Sequence, residues 1–245
     1  MLILPLVFWF SDAWAEISVD NHQQFFTNDG ALHIVGEIQN QFDVPLNQVD
    51  IHITMYSGNE VVDTLSTNLL VNTIMPGMKA PFELVVLGQN AKMVDNYSFQ
   101  TEYNVGQPKS QVIDVTQSEI SHDNFGNLVI TGTVLNRGEF TANAISVVAT
   151  LYDEKGDVAA VLTSKTNPDY LRSNDQAFFL VSITDKSQAN RVADYSLVAE
   201  SEEYAAVPEF PLGSILLLTG SVSAYVFFTR YMSRTVGNLV YASTR

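Results

Sequence analysis

Apolar and polar side chains alternate along two pairs of segments, and this pattern predicts β-strands. In the first pair, "LHIVGEI" begins at Leu32 and "VDIHITMY" begins at Val49. In the second pair, "LVITGTV" begins at Leu128 and "ISVVATLY" begins at Ile145. Because side chains alternate across a strand, every second residue of each segment is expected to face a core. No amphipathic helix of useful length precedes Leu212.

The two pairs of segments belong to an internal repeat. Residues 17–56 align with residues 113–152 without a gap, and 11 of these 40 positions are identical. After single-residue gaps, Phe82 aligns with Phe179, and "VDNYSF" aligns with "VADYSL". The alignment therefore predicts two homologous domains.

Short strands separated by turn residues at this spacing predict two-sheet sandwiches. We expect one sandwich at residues 16–107 and a second at residues 108–206, joined near residues 106–110. Asn28-Asp29-Gly30 and Asn124-Phe125-Gly126 are predicted turns, because Asn and Gly tolerate positive φ. The predicted fold class is all-β: two tandem sandwiches followed by one C-terminal transmembrane helix.

The N-terminus has the features of a secretory signal peptide at residues 1–15. Leu2–Phe10 form an apolar run, and Ala13-Trp14-Ala15 is an A-x-A cleavage pattern, so the mature chain would begin at Glu16. No Lys or Arg precedes the run, which suggests a true start codon further upstream. The alternative is a buried strand at the start of the first domain.

The second long apolar run lies near the C-terminus. Leu212–Thr229 are 18 residues without charge, and residues 212–232 reach the roughly 20 needed to span a bilayer. Arg230 and Arg234 follow without an acid, so residues 233–245 are predicted to be cytoplasmic. A buried core helix is the alternative for this run.

A short motif at residues 207–211 precedes the apolar run. Pro208-Glu209-Phe210, the predicted helix and the arginines together resemble the archaeal PEF-type C-terminal sorting signal. The resemblance implies that an archaeosortase cuts near the motif and transfers the protein to a surface anchor. The alternative is an ordinary tail anchor in which the prolines end the preceding structure.

Charge is distributed unevenly along the chain. The net charge is −15 and the pI about 4.4, which argues against nucleic acid as a partner because phosphate binding needs clustered cations. Residues 16–211 hold 26 acidic and 9 basic side chains, whereas three arginines and no acid follow. This asymmetry predicts two environments. The absence of cysteine excludes disulfides and thiolate chemistry.

Candidate catalytic or metal-binding residues are few, and no cofactor is expected. Asp50 and His52 share one face of a predicted strand, but a metal would need a third ligand. His33 and His52 lie opposite the predicted core, so we expect both to face solvent. No G-x-S-x-G, Walker or H-E-x-x-H motif occurs. We therefore expect no enzymatic activity.

Two acidic clusters and one sequon remain. Asp153, Glu154 and Asp157 are interpreted as a solvated turn, with weak Ca²⁺ binding as the alternative. The cluster at residues 200–203 is interpreted as a hydrated stalk before the anchor. Asn96-Tyr97-Ser98 is an N-glycosylation sequon, and an inward Tyr97 would direct Asn96 outward.

The repeats resemble the FxLyD family of immunoglobulin-like sandwiches. The resemblance rests on Gly-x-x-x-Asn in an early strand, a Tyr ending the next strand, a Phe, and a late Tyr-Ser-apolar motif. The first repeat carries the Pro76-Gly77 turn but lacks the Asp-Lys-Gly tip, and the second repeat has the reverse. In the two repeats the matching residues are Gly36, Asn40, Tyr56, Phe82, Tyr97 and Phe99, and Gly132, Asn136, Tyr152, Phe179, Tyr195 and Leu197.

Two functions remain open from the sequence. The resemblance implies a non-catalytic protein of the cell surface, with the N-terminal domains outside and the C-terminus cytoplasmic. Its expected partners are membrane lipid and other surface or membrane proteins. The alternative is an accessory subunit of a membrane complex, because Gly213 and Gly220 would allow close approach of another helix.

Overall fold

The computed structural model describes residues 17–207, all within one compact unit. Residues 1–16 and 208–245 lie outside the described part of the chain. The predicted signal peptide, the motif Pro208-Glu209-Phe210, the membrane span, Arg230 and Arg234 therefore stay predictions. None of the helices between residues 17 and 207 is long and apolar enough to cross a bilayer.

Nearly all regular structure in the described residues is β-strand, which confirms the all-β prediction. A four-residue helix, α1 (Lys186–Ala189), and a 3-10 turn at Asn90–Met93 are the exceptions there. The strands are β1 (Ile17–Phe26), β2 (Leu32–Asn40), β3 (Leu46–Ser57), β4 (Glu60–Asn68), β5 (Thr73–Ile74), β6 (Lys79–Val86), β7 (Asn96–Val105), β8 (Ile113–His122), β9 (Leu128–Asn136), β10 (Ser146–Tyr152), β11 (Val158–Lys165), β12 (Gln176–Ile183) and β13 (Asp194–Glu200).

The strands form antiparallel sheets of the kind that build β-sandwiches. Strands β1–β7 supply one sheet ordered β1-β2-β6 and another in which β4, β5 and β7 pair with β3. Strands β8–β13 supply sheets ordered β12-β9-β8 and β11-β10-β13. The alternating apolar residues of β2 and β3 are fully buried between the first two sheets, as Ile34 and Ile53 illustrate. The inward face predicted from periodicity is therefore confirmed.

Each repeat packs a phenylalanine ring over a glycine on the neighbouring strand. Phe82 of β6 pairs with Gly36 of β2, and Phe179 of β12 pairs with Gly132 of β9. A Cβ on Gly36 would lie 2.9 Å from the Phe82 ring, and one on Gly132 would lie 2.6 Å from the Phe179 ring. The glycines are thus required because the ring, together with His22 Cβ at Gly36 and the Gln117 carbonyl at Gly132, occupies the space of a side chain.

A buried asparagine clamps the same loops in both repeats. Asn40 Nδ2 donates to the carbonyls of Val44 and Ile74, each at 2.9 Å. Its Oδ1 accepts from the Phe42 N–H at 3.0 Å. Because the side chain is fully buried and satisfied, it holds three backbone groups that would otherwise lack partners.

Asn136 makes the matching contacts in the second repeat. Its Nδ2 donates to the carbonyls of Phe140 and Leu171 at 2.9 Å, and its Oδ1 accepts from Gly138 N–H at 2.8 Å. The turn that packs on it uses Asn174 at φ 65° where the first repeat uses Gly77 at φ 78°. Asparagine therefore supplies the left-handed residue that the missing Pro-Gly turn would have provided.

We expect Asn136→Ala to lower the free energy of unfolding by about 2 kcal/mol, because it leaves buried carbonyls without donors. Urea unfolding of the full chain in detergent micelles, followed by circular dichroism, measures this. Thr141→Ala, at an exposed position of the same loop, is the control. A change at Asn136 no larger than at Thr141 would refute the clamp.

The two repeats pack directly against each other. The outer face of sheet β1-β2-β6 is covered by the outer face of sheet β11-β10-β13, and Val35 shares one hydrophobic cluster with Val148, Val161 and Val198. Val35 and Val148 are both fully buried. This contact explains why β2 and β10 are buried on both faces.

Polar groups at this interface are paired across it. Tyr152 O–H donates to Glu37 Oε1 at 2.5 Å, and Asn21 Nδ2 donates to Glu37 Oε2 at 3.0 Å. Burial raises the pKa of Tyr152, and the nearby Glu37 charge raises it further. Lys79 Nζ lies 3.6 Å from Glu37 Oε2. Together with the hydrogen bonds from Tyr152 and Asn21, this cation makes it possible to bury the Glu37 carboxylate. Arg191 separately lies 5.0 Å over the Phe25 ring.

The interface also explains where the repeats differ in sequence. The matching outer face of the first repeat, on β3, β4 and β7, is not covered by the second repeat and carries polar side chains. The interface valines and their first-repeat counterparts are Val148 and His52, Val161 and Thr64, and Val198 and Gln100. These three positions are apolar in the second repeat because the interface buries them there, and polar in the first repeat because solvent reaches them.

Candidate interaction site

An open cleft of about 690 Å³ lies at one end of the first repeat, where β3 begins and β7 ends. Five of its 11 lining residues carry side-chain amides. These amides come from β3, β4, β7 and the segment before β5. They are Asn47, Gln48, Asn68, Asn72 and Asn104.

A β-bulge at the start of β3 shapes one wall of the cleft. The pairing of β3 with β7 shifts between Asn47 and Asp50, and Gln48 adopts φ 47°. A bulge redirects the side chains that follow it. Gln48 is consequently exposed and accepts a 2.7 Å hydrogen bond from Asn104 Nδ2.

The opposite wall is fixed by a carboxylate from the second repeat. Glu200 is 3% exposed, and its oxygens accept the Asn72 backbone N–H at 3.0 Å and Asn72 Nδ2 at 2.8 Å. Burial raises the pKa of Glu200 to about 7, although the Asn72 hydrogen bonds and Lys109 lower it. Asn72 is therefore held in one orientation by the packing of the two repeats.

The second repeat has the same backbone conformation at this point, but its asparagine is paired. Ala144 adopts φ 52° at the position of Gln48. The preceding Asn143 donates its backbone N–H and Nδ2 to Glu203 at 2.8 and 2.6 Å. The next residue, Tyr204, is buried, and its hydroxyl accepts from Phe140 N–H at 3.0 Å. In the alignment of the repeats, Val105 and Gly106 of the first repeat stand at these two positions.

The cleft therefore leaves a polar group of the first repeat without a partner. Asn47, the counterpart of Asn143, has a buried Oδ1 that accepts no hydrogen bond from any residue between 17 and 207. Gly106 lies against its side chain, where a Cβ would be 3.3 Å away. An unpaired buried acceptor is unfavourable unless a ligand or water supplies a donor.

The histidines predicted to face solvent have different surroundings. His52 lies on the uncovered face, with Nδ1 2.7 Å from Ser66 Oγ and Nε2 3.7 Å from Glu102. The prediction for His33 is wrong, because the second repeat covers its face of β2. Its Nδ1 is 2.7 Å from Glu83 Oε1, and its ring stacks on Phe25 at 5.3 Å.

The acidic turn at residues 153–157 is closed by its own first residue. Asp153 Oδ1 accepts the backbone N–H groups of Lys155 and Asp157 at 2.9 and 3.1 Å. Burial acts to raise the pKa of Asp153, but these hydrogen bonds outweigh it and the pKa is lowered. Within residues 17–207, no three His, Asp or Glu side chains come together to hold a metal ion.

The interpretation of residues 200–203 as a hydrated stalk is wrong. Glu200 is buried against the first repeat, and Glu203 binds Asn143. Residues 204–206 are buried as well. The physical reason is that each carboxylate accepts hydrogen bonds from an asparagine, which offsets part of the free-energy cost of its burial.

The sequon residue Asn96 is the first residue of β7 and is exposed. Tyr97 is half-buried, and its hydroxyl lies 2.9 Å from His22 Nδ1. Burial raises the pKa of Tyr97 to about 12, and Asp157 adds to the shift. The opposite orientation of the two side chains matches the expected alternation, and glycosylation of Asn96 stays a prediction.

Sequence reasoning did not identify the amide-lined cleft. Its residues come from separate segments, and none stands out as a motif. One signal was available in the repeat alignment, because Asn47 and Asn143 are identical whereas Gly106 replaces Tyr204. A polar residue retained without its aromatic neighbour indicates an altered environment.

Comparisons with known proteins identify no family. No family model and no curated protein sequence matches the chain. Among solved structures, the exo-chitosanase CsxA of Amycolatopsis orientalis is 10% identical over 78% of this chain, with a TM-score of 0.31. Red sea bream transglutaminase is 9% identical over 77% of this chain, with a TM-score of 0.26. The chain spans 26% and 30% of those proteins. Similarities of this size say nothing about its function.

Proposed function

We propose that this chain is a membrane-anchored protein of the cell surface that binds a partner and has no catalytic activity of its own. The observation that carries the proposal is the open cleft in the first repeat, because in the second repeat Glu203 binds Asn143, the counterpart of the cleft residue Asn47. A binding site is a reason for one copy of a repeat to stay open while the other closes.

The proposed placement rests on the sequence at the two ends of the chain. Residues 1–15 direct secretion, the immunoglobulin-like sandwiches of FxLyD type lie outside, and residues 212–232 span the membrane. Arg230 and Arg234 hold the cytoplasmic side. In this proposal, Pro208-Glu209-Phe210 directs processing by an archaeal sorting enzyme, and the partners are membrane lipid and other surface or membrane proteins.

A second candidate is an accessory subunit of a membrane complex. Small residues in the predicted span, including Gly213 and Gly220, favour close packing against another helix. The two candidates differ in the fate of this segment, because a span removed by processing cannot hold a subunit in a complex.

Intact-mass analysis of the native protein tests the placement. We expect a mature N-terminus at Glu16 and a C-terminus before Arg245. Replacing Pro208-Glu209-Phe210 with three alanines is expected to leave membrane insertion intact and to abolish the processing. Retention of Arg245 in the native protein would favour the role as a subunit of a membrane complex. Protection of residues 17–207 from protease on intact cells would refute surface display.

A further inference from the structure

We propose that the amide-lined cleft binds a neutral, hydroxyl-rich ligand of the oligosaccharide class. This inference rests on the proposed surface function and names the ligand of that site.

The charges of the lining cancel. Among residues 17–207, Asp50 is the one carboxylate and Lys109 the one ammonium group of the lining. Lys109 Nζ donates one of its three N–H groups to the Glu202 carbonyl at 2.9 Å. Because one cation and one carboxylate lie in the same lining, neither an anionic nor a cationic ligand meets an excess of opposite charge. The lining favours a ligand without net charge.

The hydrogen-bonding groups match hydroxyls. A side-chain amide offers an acceptor and two donors in one plane, and a hydroxyl both donates and accepts. Asn47 lines the cleft, and its buried Oδ1 has no hydrogen-bond partner among residues 17–207. A rotation of the amide would bring this acceptor to a sugar hydroxyl, which can donate to it, whereas a carboxylate or phosphate oxygen cannot. Because Asn104 Nδ2 binds Gln48 Oε1, the Gln48 NH₂ and the Asn104 oxygen remain for the ligand.

The floor of the cleft suits the apolar faces of sugar rings. Leu69 is half-buried and gives the lining its accessible apolar surface, since Val49 and Val71 are each only 4% exposed. A sugar ring has C–H groups on its faces and hydroxyls at its rim, so an apolar floor with polar walls complements it. The volume of about 690 Å³ lies within the range for small-molecule sites.

The walls are held in place before a ligand arrives. Glu200 orients Asn72 from across the repeat interface, and the β3 bulge orients Gln48. Fixed side chains lose less conformational entropy on binding, which favours affinity for weakly apolar ligands. Glu200 therefore fixes the orientation of the Asn72 side chain before a ligand binds.

Isothermal titration of the full chain in detergent micelles tests the proposal. The probes are maltohexaose, cellohexaose and mannohexaose, with hexagalacturonate as the charged comparison. We expect at least one neutral hexaose to bind with a Kd of about 1 mM or tighter, in the range of weak specific binding. We expect Asn47→Ala and Asn104→Ala each to weaken that Kd about tenfold, the loss of one good hydrogen bond.

The second repeat supplies the matched control. Asn143→Ala changes the residue of the second repeat that is equivalent to Asn47 and is bound by Glu203. This variant should alter the Kd less than about twofold. Circular dichroism and urea unfolding of each variant show whether it is folded. Binding of none of the neutral hexaoses, a preference for hexagalacturonate, or equal weakening by Asn143→Ala would overturn the proposal. Surface display tested by mass and protease protection would stand in each case.

Discussion

Replacing Phe179 with alanine is expected to lower the free energy of unfolding by about 3–5 kcal/mol, the usual range for a buried phenylalanine. The ring is 1% exposed and fills the space above Gly132. Because Gly132 has no side chain that could move into the vacated volume, the cavity is expected to stay open. Phe82→Ala should have the same effect in the first repeat, where the ring is fully buried over Gly36.

Urea unfolding of the full chain in detergent micelles, followed by far-UV circular dichroism, measures both losses. Phe178→Ala is the matched control, because this neighbouring residue on β12 is 49% exposed. Its loss should stay below about 1 kcal/mol. Losses under about 1.5 kcal/mol at both Phe82 and Phe179, or an equal loss at Phe178, would contradict the proposed packing.

These phenylalanines also show how far the sequence alone could be interpreted. Their alignment at matching positions, together with Gly36 and Asn40, correctly indicated core positions. The alternation of apolar residues in β2 and β3 likewise predicted which side chains are buried. Periodicity succeeds here because each sandwich core is made from faces that a single strand defines locally.

The packing of one repeat on the other was not predicted, for a different physical reason. A strand that is buried on both faces loses its alternation, as the buried Val147 and Val148 of β10 show. The mismatch between Val148 and His52 was visible in the alignment, but it was interpreted only as a solvent-facing histidine. Contacts between distant parts of the chain determine whether such positions are polar or apolar. Comparing the two repeats reveals these contacts only when the surroundings of both copies are known.

The cleft was hidden for a related reason. Its shape depends on the positive φ of Gln48, which is not a residue that usually marks such a backbone conformation. It also depends on Glu200, which lies 128 residues from Asn72 in the chain. Neither the bulge nor this pairing has a local sequence signal, so the structure was needed to bring the amides together.

Glu200 is expected to make the protein less stable as the pH rises from 4.5 to about 7. Burial raises its pKa in the folded chain from 4.5 to about 7. The folded state therefore binds the proton more tightly than the unfolded state, and raising the pH through this window favours unfolding. A shift of this size corresponds to a loss of about 3 kcal/mol once the pH exceeds 7.

Comparing Glu200→Gln with the natural chain isolates the contribution of this carboxyl group from those of all other titratable groups. The glutamine keeps an acceptor for Asn72 but has no charge to bury. Between pH 5 and pH 8, the free energy of unfolding of the variant should therefore fall by about 3 kcal/mol less than that of the natural chain. Urea unfolding at a series of pH values measures the difference.

Glu203→Gln is the control for the Glu200 prediction. The Asn143 hydrogen bonds outweigh burial and lower the pKa of Glu203, so its carboxylate contributes stability above pH 4.5 and loses it only as the pH falls. Between pH 5 and pH 8 this variant should follow the natural chain. If the stability of Glu200→Gln depends on pH in the same way as that of the natural chain, the prediction is wrong. The interface would then hold Glu200 as a carboxylate, because the hydrogen bonds from Asn72 outweigh its burial.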